Sequence, residues 1–258
     1  MKKIPRWGKI VLSTILVVIL LVVTLFGRTL YDFTQLNPLA SGSITENVYA
    51  VQTGTANFFL IRGNSGYIAI DAGEDKERAA AELYALDISP EDVFAIFLTH
   101  SDSDHTAAIS LFPNAKLHLS EYEVQLIDGT INRRSGLFLV LSMLLGRNSG
   151  NTNFFPYEFL TLTHNEKIEI DGVLIQGFLT PGHTPGSMSF LVNERYLFTG
   201  DAMSLRSGRA ARMVHLFDMD NNQARESISK IATIPAQYIF TSHHGYSDNL
   251  AFVFENWD

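Results

Sequence analysis

Within six positions the chain carries four residues able to bind a metal, His100, Asp102, Asp104 and His105 in the stretch THSDSDH. Three more stand apart downstream: His183 in TPGHTPGS, Asp201 in FTGD and His243 in SHHG. Imidazole and carboxylate donors suit zinc, iron or manganese. Two such cations close together acidify a shared water and stabilise the oxyanion its attack creates. The chemistry within reach is metal-assisted hydrolysis. The 258 residues include no cysteine, so thiolate sites and disulfides are excluded.

The runs before these residues indicate how they could meet. VFAIFLT reads as a buried strand leading into His100, and GFLT, YLFTG and YIFTS precede His183, Asp201 and His243. In α/β folds, sites collect in the loops beyond strand ends. Upstream, NVYAVQ, NFFLIRG and GYIAIDAG read as strands and EDKERAAAELYAL as an amphipathic helix. TAAISLF is expected to start a helix that Pro113 stops. KLHLS is a strand, and its His118 is expected to be structural. Two strand pairs should turn at Asp171-Gly172 and Asn193-Glu194. NQARESISKIATI reads as a helix and AQYIFTSHH as a final strand. The prolines and glycines of PGHTPG restrict the loop that presents His183.

These pieces, in this order, resemble the metallo-β-lactamase-fold hydrolase superfamily over roughly residues 44–258. The resemblance rests on THSDSDH, TPGHTPGS, FTGD and SHHG, with GTANFFLI and AIDAG matching the family's opening strands. It implies an α/β fold, a four-layer αβ/βα sandwich, with a two-metal site along one edge. By motif position, His100, Asp102 and His183 would bind a first metal. Asp104, His105 and His243 would bind a second, Asp201 would bridge, and a hydroxide between the metals would be the nucleophile. Asp104 could also orient that hydroxide. The implied cofactors are two divalent metals, zinc first, with iron or manganese as alternatives.

One residue departs from the pattern. The family's usual first motif is H-x-H-x-D-H, and here Asp102 takes the second histidine's place. Asp102 could ligate, the first site could be weak, or the site could be inactive; the filled remaining positions favour ligation. At the last position His243 is expected to be the ligand, with His244 as the alternative or as a neighbour facing substrate. His215, Arg206, Arg209 and Arg212 follow Asp201 and are candidates for substrate contact, guanidinium being suited to a carboxylate or phosphate.

At the front, IVLSTILVVILLVVTLF runs from Ile10 to Phe26 behind a basic cluster and Trp7. The reading is a basic cytoplasmic tail (1–9), a transmembrane signal anchor (10–28), a linker (29–43) and an extracytoplasmic body (44–258). A cleaved signal peptide is the alternative. From Asp32 onward, 14 basic residues face 27 acidic ones, which disfavours nucleic acid as a partner. Residues near 125–160 match no family motif and include the apolar run Leu137–Leu145. That insert could be a lid, a pocket wall, an interfacial helix or buried core. A small ester, lactone, thioester or amide is the expected substrate. An iron-type oxidoreductase and a non-catalytic protein with a decayed site are the competing readings.

Overall fold

The central strand segments are apolar on both faces, and layering explains why. The computed structural model describes residues 5–131, 158–214 and 217–257. The insert beyond residue 131, with Leu137–Leu145, and His215 lie outside the described residues. The chain divides into two units, Met1–Leu36 and Asn37–Asp258.

In the first unit a 29-residue helix, α1 (Arg6–Thr34), carries the apolar run. Its stretch Lys9–Thr34 is long and apolar enough to cross a membrane. The hydroxyls of Thr14 and Thr24 donate to the carbonyls of Ile10 and Leu20, one turn back, at 3.0 and 2.7 Å. Both hydroxyl donors are thereby satisfied within the helix. The helix outlasts the expected span by six residues, since nothing between Arg28 and Thr34 breaks it.

In the second unit, seven strands form one sheet in sequence order: β1 (Gly42–Ser43), β2 (Val48–Gln52), β3 (Asn57–Arg62), β4 (Tyr67–Ile70), β5 (Val93–Phe97), β6 (Lys116–Ser120) and β7 (Phe159–Leu162). A second sheet has six: β8 (Lys167–Ile170), β9 (Val173–Leu179), β10 (Met188–Val192), β11 (Tyr196–Phe198), β14 (Tyr238–Thr241) and β15 (Gly245–Ser247). A hairpin, β12 (Ser204–Arg206) with β13 (Arg209–Ala211), stands apart. Among the described residues the helices of this unit are α2 (Lys76–Ala85), α3 (Ser103–Thr106), α4 (Glu121–Ile127), α5 (Asn221–Ile231) and α6 (Leu250–Phe254).

Alternate residues of each strand face different cores. Phe59, Ile61, Phe97, Phe190, Phe198 and Phe240 pack between the sheets. Phe58, Leu60, Ile96 and Leu117 turn outward to meet Ala79 and Leu83 of α2 and Val124 of α4. On the far side Leu197 and Ile239 meet Ile228 and Ile231 of α5 and Val253 of α6. Helices, sheet, sheet, helices: this is the expected four-layer sandwich. Burying a side chain of this size stabilises by about 1.5–3 kcal/mol.

The turns follow their residue chemistry. Asp171 and Gly172 take φ of 52° and 79°, and Asn193 and Glu194 take 50° and 52°. Asp75 caps α2 by accepting from the Arg78 N–H at 2.7 Å. Two expectations need correction. TAAISLF does not continue a helix; α3 ends at Thr106 and a separate 3-10 turn covers Ile109–Leu111. Residues 37–43 are also not a free linker. The Asn57 side chain bonds both the N–H and the carbonyl of Leu39, at 2.7 and 2.8 Å, and Gly42 and Ser43 pair with Ala50 and Tyr49. Polar composition hid this, because Leu39 is held through its backbone.

His118 sits on the face of β6 that meets the inner core, stacked on Phe97 at 4.4 Å. It is buried, and neither ring nitrogen has a hydrogen-bond partner. Burial, helped by Lys116, pulls its pKa from 6.5 to about 4. The folded chain therefore prefers neutral His118, and its contribution is complete above pH 6.5. It is lost as pH falls towards 4, where only the unfolded chain takes up the proton. His118→Leu is expected to be at least as stable at pH 7 and to gain on the wild type progressively between pH 6.5 and 4. Urea melts across that range check it, and parallel pH profiles would refute it.

Candidate metal centre

The two sheets are aligned so that several loops open on one edge. β4, β5 and β6 run parallel, as do β11 and β14, and β9 follows the direction of β11 through two antiparallel pairings. The C-terminal end of β5 delivers His100 to His105, that of β9 His183, that of β11 Asp201 and that of β14 His243. Backbone bonds join the loops across the sheets. Met188 N–H donates to Thr99 O and Asn57 N–H to Ser242 O, both at 2.8 Å. Gly200 is needed before Asp201, with φ of 52° and with Thr99 where a side chain would begin.

Seven residues expected from sequence meet there. His100, His183 and Asp201 form one group of ligand-type atoms, and Asp104, His105 and His243 another, each within 4.8 Å. Asp201 stands between them. Its Oδ1 is 3.5 Å from His105 Nε2 and 3.3 Å from His243 Nε2, while Oδ2 is 3.7 Å from His183 Nε2. Asp102 Oδ2 lies 3.2 Å from His183 Nε2 and 3.6 Å from His100 Nε2, so the departing residue faces the first group. Asp104 Oδ2 is 3.6 Å from His243 Nε2. Asp102 and Asp104, 16% and 14% exposed, are the carboxylates nearest solvent; the histidines are buried.

All four imidazoles point Nε2 inward because their Nδ1 atoms are held from behind. His105 Nδ1 bonds Asp71 at 2.8 Å, and His243 Nδ1 bonds the Thr55 carbonyl at 2.6 Å. His100 Nδ1 meets the Thr99 hydroxyl at 3.0 Å, and His183 Nδ1 meets Asp218 at 3.4 Å. Such outer partners fix the tautomer and aim of a ligating histidine. Asp71, at φ 63°, also accepts from Thr99 N–H at 2.7 Å. Sequence reading missed Asp71 and Asp218 as site residues. An aspartate closing the apolar run AIDAG before a glycine was a usable signal for the first; FDMD holds none for the second.

Electrostatics match the geometry. Burial, then His105 and His183, keeps His100 well below its usual pKa, so it presents a neutral ring. Burial alone would lower His105, but Asp71 and Asp201 outweigh it and hold it well above 6.5. His243 is raised against burial by Asp201 and Asp104. Asp201 is held well below the carboxylate range, His243 and His105 overcoming its burial. Nε2 of His100, Nε2 of His105 and Oδ1 of Asp201 are buried without a hydrogen-bond partner. Orphaned donor atoms converging on carboxylates are what a cation would satisfy. The residues fit divalent metal.

The other candidates among the described residues are not members of the two ligand groups. His244 belongs to neither group; its N–H bonds the Thr241 hydroxyl at 3.1 Å. Arg209 pairs with Glu255 at 2.6 Å and lies over the Phe252 ring, and Arg212 bonds Asn221 at 2.7 Å. Both guanidiniums thus tie their segment to α6 and α5. Arg206 lies opposite Arg209 in the β12–β13 hairpin.

Residues 51–243 match the sequence model of the Metallo-beta-lactamase superfamily. A probable polyketide biosynthesis zinc-dependent hydrolase, BaeB of Bacillus velezensis, is 27% identical over 145 residues, 55% of this chain and 52% of that protein. The N-acyl homoserine lactonase AttM of Azorhizobium caulinodans is 28% identical over 195 residues, 61% of this chain and 70% of that protein. The chain thus spans about half of BaeB and somewhat more of AttM. Among solved structures, the metallo-beta-lactamase family protein TTHA1429 of Thermus thermophilus superposes with a TM-score of 0.61 at 20% identity, covering 83% of this chain and 78% of that one.

Proposed function

The chain belongs to the metallo-beta-lactamase superfamily, and from that premise we propose that it is a metal-dependent hydrolase of a small ester, lactone, thioester or amide. The observation that carries this is the pair of ligand groups sharing Asp201. His100, Asp102 and His183 would hold one divalent metal and Asp104, His105 and His243 the other. When bound, two such cations supply Lewis acidity and lower the pKa of a shared water, giving a nucleophile at neutral pH. The protein's part is positioning. Asp71, Thr55, Thr99 and Asp218 aim the rings. Asp104, at the partly open side, would orient the attacking water. The hydrolases among the relatives, one zinc-dependent and one a lactonase, support this class and make zinc the first metal to test.

The expected result is about two metals per chain for the full protein in detergent, with turnover of at least one member of an ester, lactone, thioester and amide panel. Metal-replete protein inert across that panel would sink the reading. We also propose that α1 is a retained signal anchor, with its basic end cytoplasmic and the body outside. The chain should then stay with membranes after an alkaline wash and keep its N-terminal residues by mass; a soluble chain trimmed near residue 28 would show a signal peptide instead.

A further inference from the structure

The first turn of α4 holds a carboxyl group that the proposed reaction does not use. Glu123 is fully buried. Its Oε2 accepts from the Ser101 N–H at 2.8 Å, and Ser101 lies between His100 and Asp102. Its Oε1 accepts from the hydroxyl of Thr184, the residue after His183. Around this, the Ser120 hydroxyl donates to Gly186 O at 2.8 Å, and the Thr184 and Ser187 hydroxyls meet at 2.7 Å. Gly186 permits the approach, since a Cβ there would stand 2.6 Å from the Glu123 nitrogen and 2.7 Å from Oε1.

We infer that Glu123 is a positioning residue for the first metal site, a clamp joining the His100–Asp102 loop to the His183 loop before any metal arrives. Those loops come from different sheets, after β5 and β9. Buried hydrogen bonds to a shared carboxyl group hold them in register more firmly than either loop could alone. The second site is secured by other means, His105 by Asp71 and His243 by Thr55. The effect of Glu123 is therefore selective. The metal part of this inference rests on the two-metal reading; the clamp itself does not.

The experiment has two arms on the full chain in detergent. In metal-free protein, Glu123→Ala is expected to speed amide exchange roughly tenfold in peptides spanning 99–103 and 182–187, leaving 54–57 and 241–245 unchanged. Zinc titration in a His243→Ala background reads the first site alone, and in a His183→Ala background the second. Glu123→Ala should weaken the first by about 10–100-fold and spare the second. Glu123→Gln, which can still bridge both loops, should restore most of the loss. Thr184→Val, which removes one of the two bonds to Glu123 together with the Thr184–Ser187 contact, should give the same selectivity at smaller size if the alanine variant folds poorly. Unchanged exchange in both loops, or equal losses at both sites, would overturn the clamp. A wild type that takes up no metal pair would defeat the hydrolase reading, while the exchange arm still decides the role of Glu123.

Discussion

Asp201→Ala is expected to abolish turnover, with a loss on the order of 10³-fold or more, and to lower metal content well below two per chain. Among the described residues, Asp201 is the one carboxylate whose two oxygens face different ligand groups, Oδ1 towards His105 and His243 and Oδ2 towards His183. Removing it strips a donor from both sites and leaves the imidazoles converging on a buried space without its charge. A loss of that size corresponds to about 4 kcal/mol of transition-state stabilisation. The fold should survive, because the three apolar cores do not include this residue. Asp201→Asn, which keeps the shape but not the charge, should be nearly as inactive. Elemental analysis, circular dichroism and kinetics on the same preparation check the result. Activity within tenfold of wild type in either variant would remove Asp201 from the chemistry.

Substitution of Asp102 has the second largest expected effect, and its direction depends on the replacement. Asp102 sits where the superfamily usually places a histidine, and its Oδ2 approaches the Nε2 atoms of both His183 and His100. Asp102→Ala should weaken the first site about 10–100-fold, leaving the second nearly intact. Asp102→His should keep two metals but change which ones. A carboxylate oxygen suits manganese or iron better than an imidazole does, and an imidazole shifts the site towards zinc. Loading both proteins with a limiting mixture of zinc, manganese and iron, followed by elemental analysis, measures that shift. An alanine variant that binds both metals as the wild type does would show that Asp102 is not a ligand.

Much of the architecture was legible in local chemistry. The hairpins at Asp171-Gly172 and Asn193-Glu194 formed where residues tolerant of positive φ stand between apolar runs. The helix after Asp75 began at its cap. The failures share a cause. TAAISLF has helical composition, but the backbone there serves another segment: Ala107 and Ala108 N–H donate to Gly73 and Ala72 at 2.9 and 3.2 Å. Sequence also could not show that the Arg209 and Arg212 side chains have partners on α6 and α5.

The sequence by itself determined the main strands of both sheets, the apolar N-terminal helix and the identities of seven ligand-type residues. Periodicity and donor chemistry are local properties. The tertiary structure alone decided that Asp71, Asp218 and Glu123 stand behind the site, while it placed His243 and Asp201 where the motif positions had put them. Each depends on atoms brought together from distant positions of the chain by strand order and register, as in the 34-residue separation of Asp71 and His105 and the 61 of Glu123 and Thr184. No local pattern encodes such a meeting, because the buried polar groups find their partners only once the sheets have stacked.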